Sequence, residues 1–277
     1  MTVTLAPAAE VDARLAFATR IAEAGGRRLL AVRGSGRWTD PDMLGDVGDQ
    51  AADGYLQGAL QARWPDDGIL SEETVDAPER LQRAWTWIVD PLDGTKEFSQ
   101  GRHDWAVHVG IAFQGQIVAG AVALPAIGRV VGGRCTVGGA AALTGTGGEW
   151  PIALAGDDGS ATGRRLRFVV SRSHTPEIVQ KVARALGDAE QIPCGSVGFK
   201  VSMLLFGKAD VYVHKKGLKE WDTGAPEAVA RACGFVVCRL DGREHRYNQP
   251  DPRNDEIVVC RPWLRERLLA AIAAARA

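Results

Sequence analysis

The hydrophobic period changes once along this chain, at Trp85, and that change restricts the folds open to it. Up to Leu60 the apolar residues recur at helical spacing. Val11, Leu15, Ala18, Ala22, Leu29 and Val32 predict an amphipathic helix over 8–32, ended by Gly34-Ser35-Gly36. Ala52, Leu56, Ala59 and Leu60 predict a second helix, preceded by a polar stretch over 37–48 and stopped by Trp64-Pro65-Asp66-Asp67-Gly68. A short strand over 68–71 then runs into Glu72-Glu73. From Trp85 the runs are strand-like: 85–89, ending at Asp90-Pro91, then 105–113 and 117–124 joined by Gln114-Gly115-Gln116, then 129–137. Consecutive hairpins after two helices predict an antiparallel sheet, hence an α+β first half rather than a doubly wound βαβ unit.

The second half alternates again. A strand is predicted over 166–171, a helix opened by Thr175-Pro176-Glu177 and closed by Gly187, a helix over 196–206 and a strand over 209–214. A helix over 223–233, a strand over 235–239, a strand over 257–260 and a helix over 262–275 complete it. The Gly-, Ala- and Thr-rich stretch 138–163, with its Asp157-Asp158-Gly159-Ser160 turn, places a boundary between two lobes, 1–150 and 151–277. There are no internal repeats.

A net charge of -1 over 277 residues offers no general attraction to a nucleic acid polymer or an anionic membrane. Affinity for an anionic ligand must come from a local site. The five cysteines are odd in number and scattered. Cys233 and Cys238 have no second pair to complete a zinc site, so they read as small buried hydrophobes in a reducing cytoplasm. Charges through the first 30 residues argue against a signal peptide, and no run reaches the roughly 20 apolar residues of a membrane span.

The chemistry concentrates in Trp87-Ile88-Val89-Asp90-Pro91-Leu92-Asp93-Gly94-Thr95. An apolar strand delivers two carboxylates, three residues apart, into an Asp-Gly turn, after which Thr95, Lys96 and Glu97 can begin a helix. Two carboxylates held together raise each other's pKa unless a cation lies between them. Hard divalent cations with oxygen ligands fit that need, and a helix start beside them offers an anion site. An ordinary Asp-Gly turn explains the segment equally well when it is taken alone. Glu72-Glu73 after a strand and Trp221-Asp222 before a helix are likewise bland one at a time.

Together, Glu72-Glu73, Asp90-Pro91-Leu92-Asp93-Gly94-Thr95 and Trp221-Asp222 resemble, in order and separation, the three signatures of the inositol monophosphatase superfamily. The resemblance spans essentially the whole chain. Lys96-Glu97-Phe98, Ser171-Arg172-Ser173-His174, Gly195-Ser196 with Lys200, and Trp221-Asp222-Thr223 are similar to its 3'(2'),5'-bisphosphate nucleotidase (CysQ) branch. The resemblance implies a layered α-β-α-β-α sandwich and a soluble, cytoplasmic phosphate monoester hydrolase, monomer or homodimer, acting on a small phosphorylated substrate. It also implies two Mg²⁺ per site, three at the most. Glu72, Asp90, the Leu92 carbonyl, Asp93 and Asp222 would be the metal ligands, with Asp90 shared. Asp49 and Thr95 would activate water, and Glu73 would orient Glu72. Gly94, Thr95, Arg172, His174, Ser196 and Lys200 would bind substrate, with Lys215, Lys216 and Lys219 as further cations. One departure stands out: the region 39–49 lacks the family's Ser-Pro-Val-Thr, which bears on a mobile loop and the third metal.

The same fold and chemistry would also serve an inositol or sugar phosphate. A haloacid-dehalogenase-type phosphatase needs its two aspartates two residues apart, not three. A catalytically dead relative would have lost a metal carboxylate, and none is lost. The P-loop pattern is absent.

Overall fold

A computed structural model describes residues 5–135, 165–173 and 175–276. The two N-terminal helices form as their periodicity requires. Helix α1 covers Ala8–Gly34 and α2 covers Pro41–Arg63. Helix α2 starts within the polar stretch 37–48, so that 41–48 is helical rather than a loop. Asp40 caps it, its Oδ1 accepting the Met43 N–H at 2.9 Å, and Pro41 occupies the first turn. A capping aspartate followed by proline is a helix start, and it outweighs the lack of apolar periodicity there.

Strands β1 (Gly68–Ser71), β2 (Trp85–Asp93), β3 (Ala106–Phe113), β4 (Gln116–Leu124) and β5 (Arg129–Arg134) form one sheet in sequence order. β1 runs parallel to β2, and the rest pair antiparallel. The short helix α3 (Thr95–Ser99) follows β2. The second sheet takes the order β7-β6-β8-β10-β9 from β6 (Arg167–Ser171), β7 (Glu190–Cys194), β8 (Val211–Lys215), β9 (Val236–Cys238) and β10 (Glu256–Cys260). Between them run α4 (Glu177–Ala185), α5 (Val197–Leu205) and α6 (Glu220–Ala232), and α7 (Arg265–Arg276) closes the chain. The sequence pattern missed β7 because it is a largely exposed edge strand containing Pro193, with no alternation to read. The strand expected over 129–137 is described only through Arg134. The stretch 138–163 and the boundary at 150 lie outside the described residues.

Apolar clusters fill the spaces between layers. α1 and α2 cover one face of the first sheet through Leu15, Leu29, Leu56, Trp87 and Val109. α5 and α6 lie between the two sheets, with Ala106, Val122, Leu204, Tyr212, Ala225 and Val259 in contact. α4 and α7 cover the far face of the second sheet through Phe168, Val182, Val258 and Leu268. The expected α-β-α-β-α sandwich is the observed architecture. Helix α6, from the C-terminal half, packs across β2, β3, β4 and β5 of the first sheet, which brings Asp222 to the sheet that carries Asp90.

One buried charge locks α1 to this sheet. Arg14 stacks between Trp64 and Trp85, 4.1 and 3.9 Å from the ring centres, and makes a two-pronged ion pair with Asp67 at 3.0 Å. Asp67 also accepts the Trp87 indole N–H at 2.9 Å. The other partner of Arg14 is Glu10 at 3.1 Å, so the guanidinium is well satisfied despite burial.

Candidate active site

The site is built at the end of β2. In a regular strand, residues three apart point to opposite faces, so Asp90 and Asp93 would diverge. Here β2 does not stop at Asp90-Pro91 but continues to Asp93 through a bulge. Asp90 is opposite His108 and Asp93 opposite Ala106, three residues on one strand against two on the other. Pro91 has no N–H to give the ladder, and the extra residue turns both carboxylates to one face. The Leu92 N–H donates to Asp90 Oδ1 at 3.0 Å and fixes that side chain. Gly94 then reverses the chain at φ 95°, a left-handed conformation. A Cβ there would press on the Cβ atoms of Ser196 and Trp105 at 3.2 Å.

Glu72 follows β1, beside β2, with its N–H on the Val89 carbonyl. Asp222 sits in the first turn of α6 and accepts the Lys219 N–H at 2.7 Å. The four carboxylates repel one another. Burial, then the charges of Asp222 and Asp93, push Glu72 up to about 7. Burial and the charge of Asp93 push Asp222 to about 7. Asp90, wholly enclosed, is driven well above the carboxylate range by burial and then by Glu72, Asp93 and Asp222. Asp93 is the exception. Burial would raise it, but the charge and contact of His108, the charge of Lys200 and the Gly198 N–H hold it below its ordinary value. This mutually repelling set of oxygen ligands is what a hard divalent cation relieves, so the residues fit a metal ion of that kind.

Asp49 approaches from α2. It is buried, and burial followed by the charges of Glu73 and Glu72 raises its pKa to about 8. Thr95 Oγ1 lies 3.3 Å from Asp49 Oδ2 and 3.2 Å from the Leu92 carbonyl. Glu73 is exposed, and burial, Asp53 and Asp46 raise it.

The second-lobe residues divide. Arg172 is exposed and paired, to Glu97 at 3.1 Å and Asp104 at 2.6 Å. Ser196 is buried and caps α5, its Oγ accepting the Phe199 N–H at 2.8 Å. Lys200 is buried, donates to the Gly195 carbonyl and lies 5.5 Å over the Tyr212 ring. Burial lowers its pKa against the opposing pull of Asp93 and others. Lys215 and Lys216 are exposed, and Lys219 is half-buried just before α6. His174 lies outside the described residues.

Two contributors escaped sequence reasoning. Asp53, one helical turn from Asp49 on α2, accepts Ser71 Oγ at 2.7 Å and Thr74 Oγ1 at 2.8 Å, pinning the loop that carries Glu72 and Glu73. The acidic spacing Asp42, Asp46, Asp49, Asp53 along one helix face was the available signal. His108 interrupts an apolar strand opposite Asp90, and Asp90, Asp93 and His108 form a compact buried group. A recess of about 600 Å³ opens between α1 and α2, lined by Phe17, Ile21 and Tyr55, but it lacks the carboxylate set.

Comparison with known proteins agrees with this geometry. The family model for the inositol monophosphatase family matches residues 6–277. The 3'-phosphoadenosine 5'-phosphate phosphatase of Mycobacterium tuberculosis is 39% identical over 254 residues, covering 90% of this chain and 89% of its own. The structure of CysQ from Bacteroides thetaiotaomicron superposes with a TM-score of 0.73 at 27% identity, covering 90% of this chain and 97% of that one. The inositol monophosphatase of Anabaena superposes with a TM-score of 0.76 at 18% identity, covering 96% and 97%. With its carboxylates gathered by the same sandwich, and with a family match running nearly end to end, this chain belongs to the inositol monophosphatase family.

Proposed function

We propose that this chain is a Mg²⁺-dependent phosphatase that removes the 3'-phosphate of adenosine 3',5'-bisphosphate, giving AMP and phosphate. The observation that carries the reading is the convergence of Glu72, Asp90, Asp93 and Asp222 from three separate segments onto one bulged strand end. The similarity to relatives named for that substrate supports its choice.

In this reading Glu72, Asp90 and the Leu92 carbonyl would hold one Mg²⁺, and Asp90, Asp93 and Asp222 would hold another. When bound, the ions supply charge neutralisation at the phosphoryl oxygens and acidify water. The chain's own residues do the rest. Thr95 Oγ1, within reach of Asp49, orients the attacking water, and Asp49 draws its proton through Thr95. Glu73 steadies Glu72. The water oxygen bonds to phosphorus as the bond to the 3'-oxygen breaks, and that oxygen leaves with a proton. Gly94 and Thr95 offer backbone N–H groups at the α3 start to the transferred phosphate.

Arg172 and His174 supply cations for the phosphate that is retained, beside Ser196. Lys200 joins them by exchanging its contact with the Gly195 carbonyl. The substrate then lies between the lobes 1–150 and 151–277. The five unpaired cysteines fit a reducing cytoplasm. Among the described residues, no helix is long and apolar enough to cross a membrane.

Initial rates with adenosine 3',5'-bisphosphate and with inositol 1-phosphate, each in Mg²⁺ and in EDTA, test the proposal. Mg²⁺-dependent release that favours the nucleotide is expected. Equal or greater turnover of inositol 1-phosphate would overturn the substrate assignment, and undiminished turnover in EDTA would overturn the metal.

A further inference from the structure

We infer that His108 is a positioning residue that sets the spacing between the metal-binding carboxylates Asp93 and Asp222; the inference rests on the metal-dependent reading above and extends it to a side chain outside the ligand set. His108 sits on β3 with no exposed surface, between Val107 and Val109 in an otherwise apolar strand. Packing alone does not ask for an imidazole there, since a buried polar ring is costly without partners. Its surroundings supply the reason.

Nδ1 lies 3.1 Å from the Trp221 carbonyl oxygen. A carbonyl only accepts, so Nδ1 carries the hydrogen and the ring plane is fixed. Nε2 lies 3.1 Å from Asp93 Oδ2, at ion-pair distance, and since a carboxylate oxygen also only accepts, the ring holds Asp93 when Nε2 carries a hydrogen as well. The same oxygen takes the Gly198 N–H at 2.9 Å. A Cβ on Gly198 would run into Nε2, so the glycine lets α5 close against the ring. One imidazole thus spans β2, through Asp93, and the first turn of α6, through the residue before Asp222. These ligands come from opposite halves of the chain.

Histidines that hold ligands from behind usually contribute ten- to a hundredfold in metal affinity. The full chain carrying His108→Leu, His108→Asn or His108→Gln tests the role. Mn²⁺ binding is read by electron paramagnetic resonance without substrate, beside melting temperature in EDTA and the split of kcat against KM for adenosine 3',5'-bisphosphate. Leucine fills the space without a nitrogen and should weaken Mn²⁺ binding about ten- to a hundredfold while leaving the EDTA melting temperature unchanged or higher. Asparagine reproduces the Nδ1 position and glutamine the Nε2 position, so each should recover part of the loss. At saturating Mg²⁺, KM should stay within about twofold of wild type.

Wild-type Mn²⁺ affinity in His108→Leu would overturn the inference alone, as would a loss fully matched by a drop in EDTA melting temperature. Imidazole nitrogen coupling to bound Mn²⁺ in pulsed spectra would also overturn it, by making His108 a ligand. Absence of Mn²⁺ binding by the wild-type chain would overturn the metal-dependent reading and this inference with it.

Discussion

Replacing Asp222 with asparagine should stabilise the metal-free protein at alkaline pH while removing its response to Mg²⁺. The amide keeps an oxygen for the Lys219 N–H now accepted at 2.7 Å, so the α6 cap survives. What is lost is a charge that burial and Asp93 push from 3.8 to about 7. For an acid whose folded pKa is raised, the stabilising contribution is fully present below the unfolded value. It is lost as pH rises toward the folded one, here between 3.8 and about 7. Above that window the wild type carries the full cost of the ionised carboxylate. A displacement of roughly three pH units corresponds to about 4 kcal/mol, which solvent screening of the half-buried side chain reduces to about 1–2 kcal/mol. At about 2–4 °C per kcal/mol, the variant should melt roughly 2–8 °C above wild type at pH 8 in EDTA. That advantage should shrink as pH falls below about 7 and vanish near 3.8. Saturating Mg²⁺, at a hundred times its dissociation constant, should stabilise the wild type by about 2.7 kcal/mol and the variant by little. Thermal melts over a pH series, with and without Mg²⁺, read both effects. A variant less stable than wild type in EDTA at pH 8, or one that keeps the full Mg²⁺ increment, would refute the electrostatic account.

Asp90→Asn should cut Mg²⁺-dependent phosphate release by at least about a hundredfold with an unchanged circular dichroism spectrum, since it removes the shared ligand. Arg14→Ala leaves Asp67 buried without its partner and unstacks Trp64 from Trp85, so denaturant unfolding should show a loss of about 3–5 kcal/mol, with lysine recovering less than half because it cannot bond in two prongs. Asp53→Ala frees Ser71 and Thr74, and Mg²⁺ titration of activity should give an apparent constant raised about tenfold or more, at a stability loss of about 2 kcal/mol by denaturant melts. Gly94→Ala forces φ 95° on a side chain pressed between Ser196 and Trp105, and kcat should fall more than KM rises in steady-state assays.

Secondary structure was legible wherever one face is buried. The helical period of Val11 to Leu29 left little freedom because one face must be hidden, and the continuous apolar runs of β2 and β3 reflect burial on both faces between helix layers. The four carboxylates proposed to bind metal were picked out from short local signatures around Glu72, Asp90 and Asp222, and the fold brings them close enough to perturb one another. The family resemblance also carried the expectation that Asp222, distant in the chain from Asp90, joins the same site. Tertiary structure decided the rest. Only the bulge at Pro91 turns Asp90 and Asp93 to one side, because residues three apart on a regular strand face opposite ways. Only the packing of α6 on the first sheet makes His108 the neighbour of both Asp93 and Trp221, a relation with no local signal because it joins three elements far apart in sequence. Lys200 shows the same limit from the other side: its charge was plain in the sequence, but its burial against the Gly195 carbonyl depends on how α5 closes between the sheets.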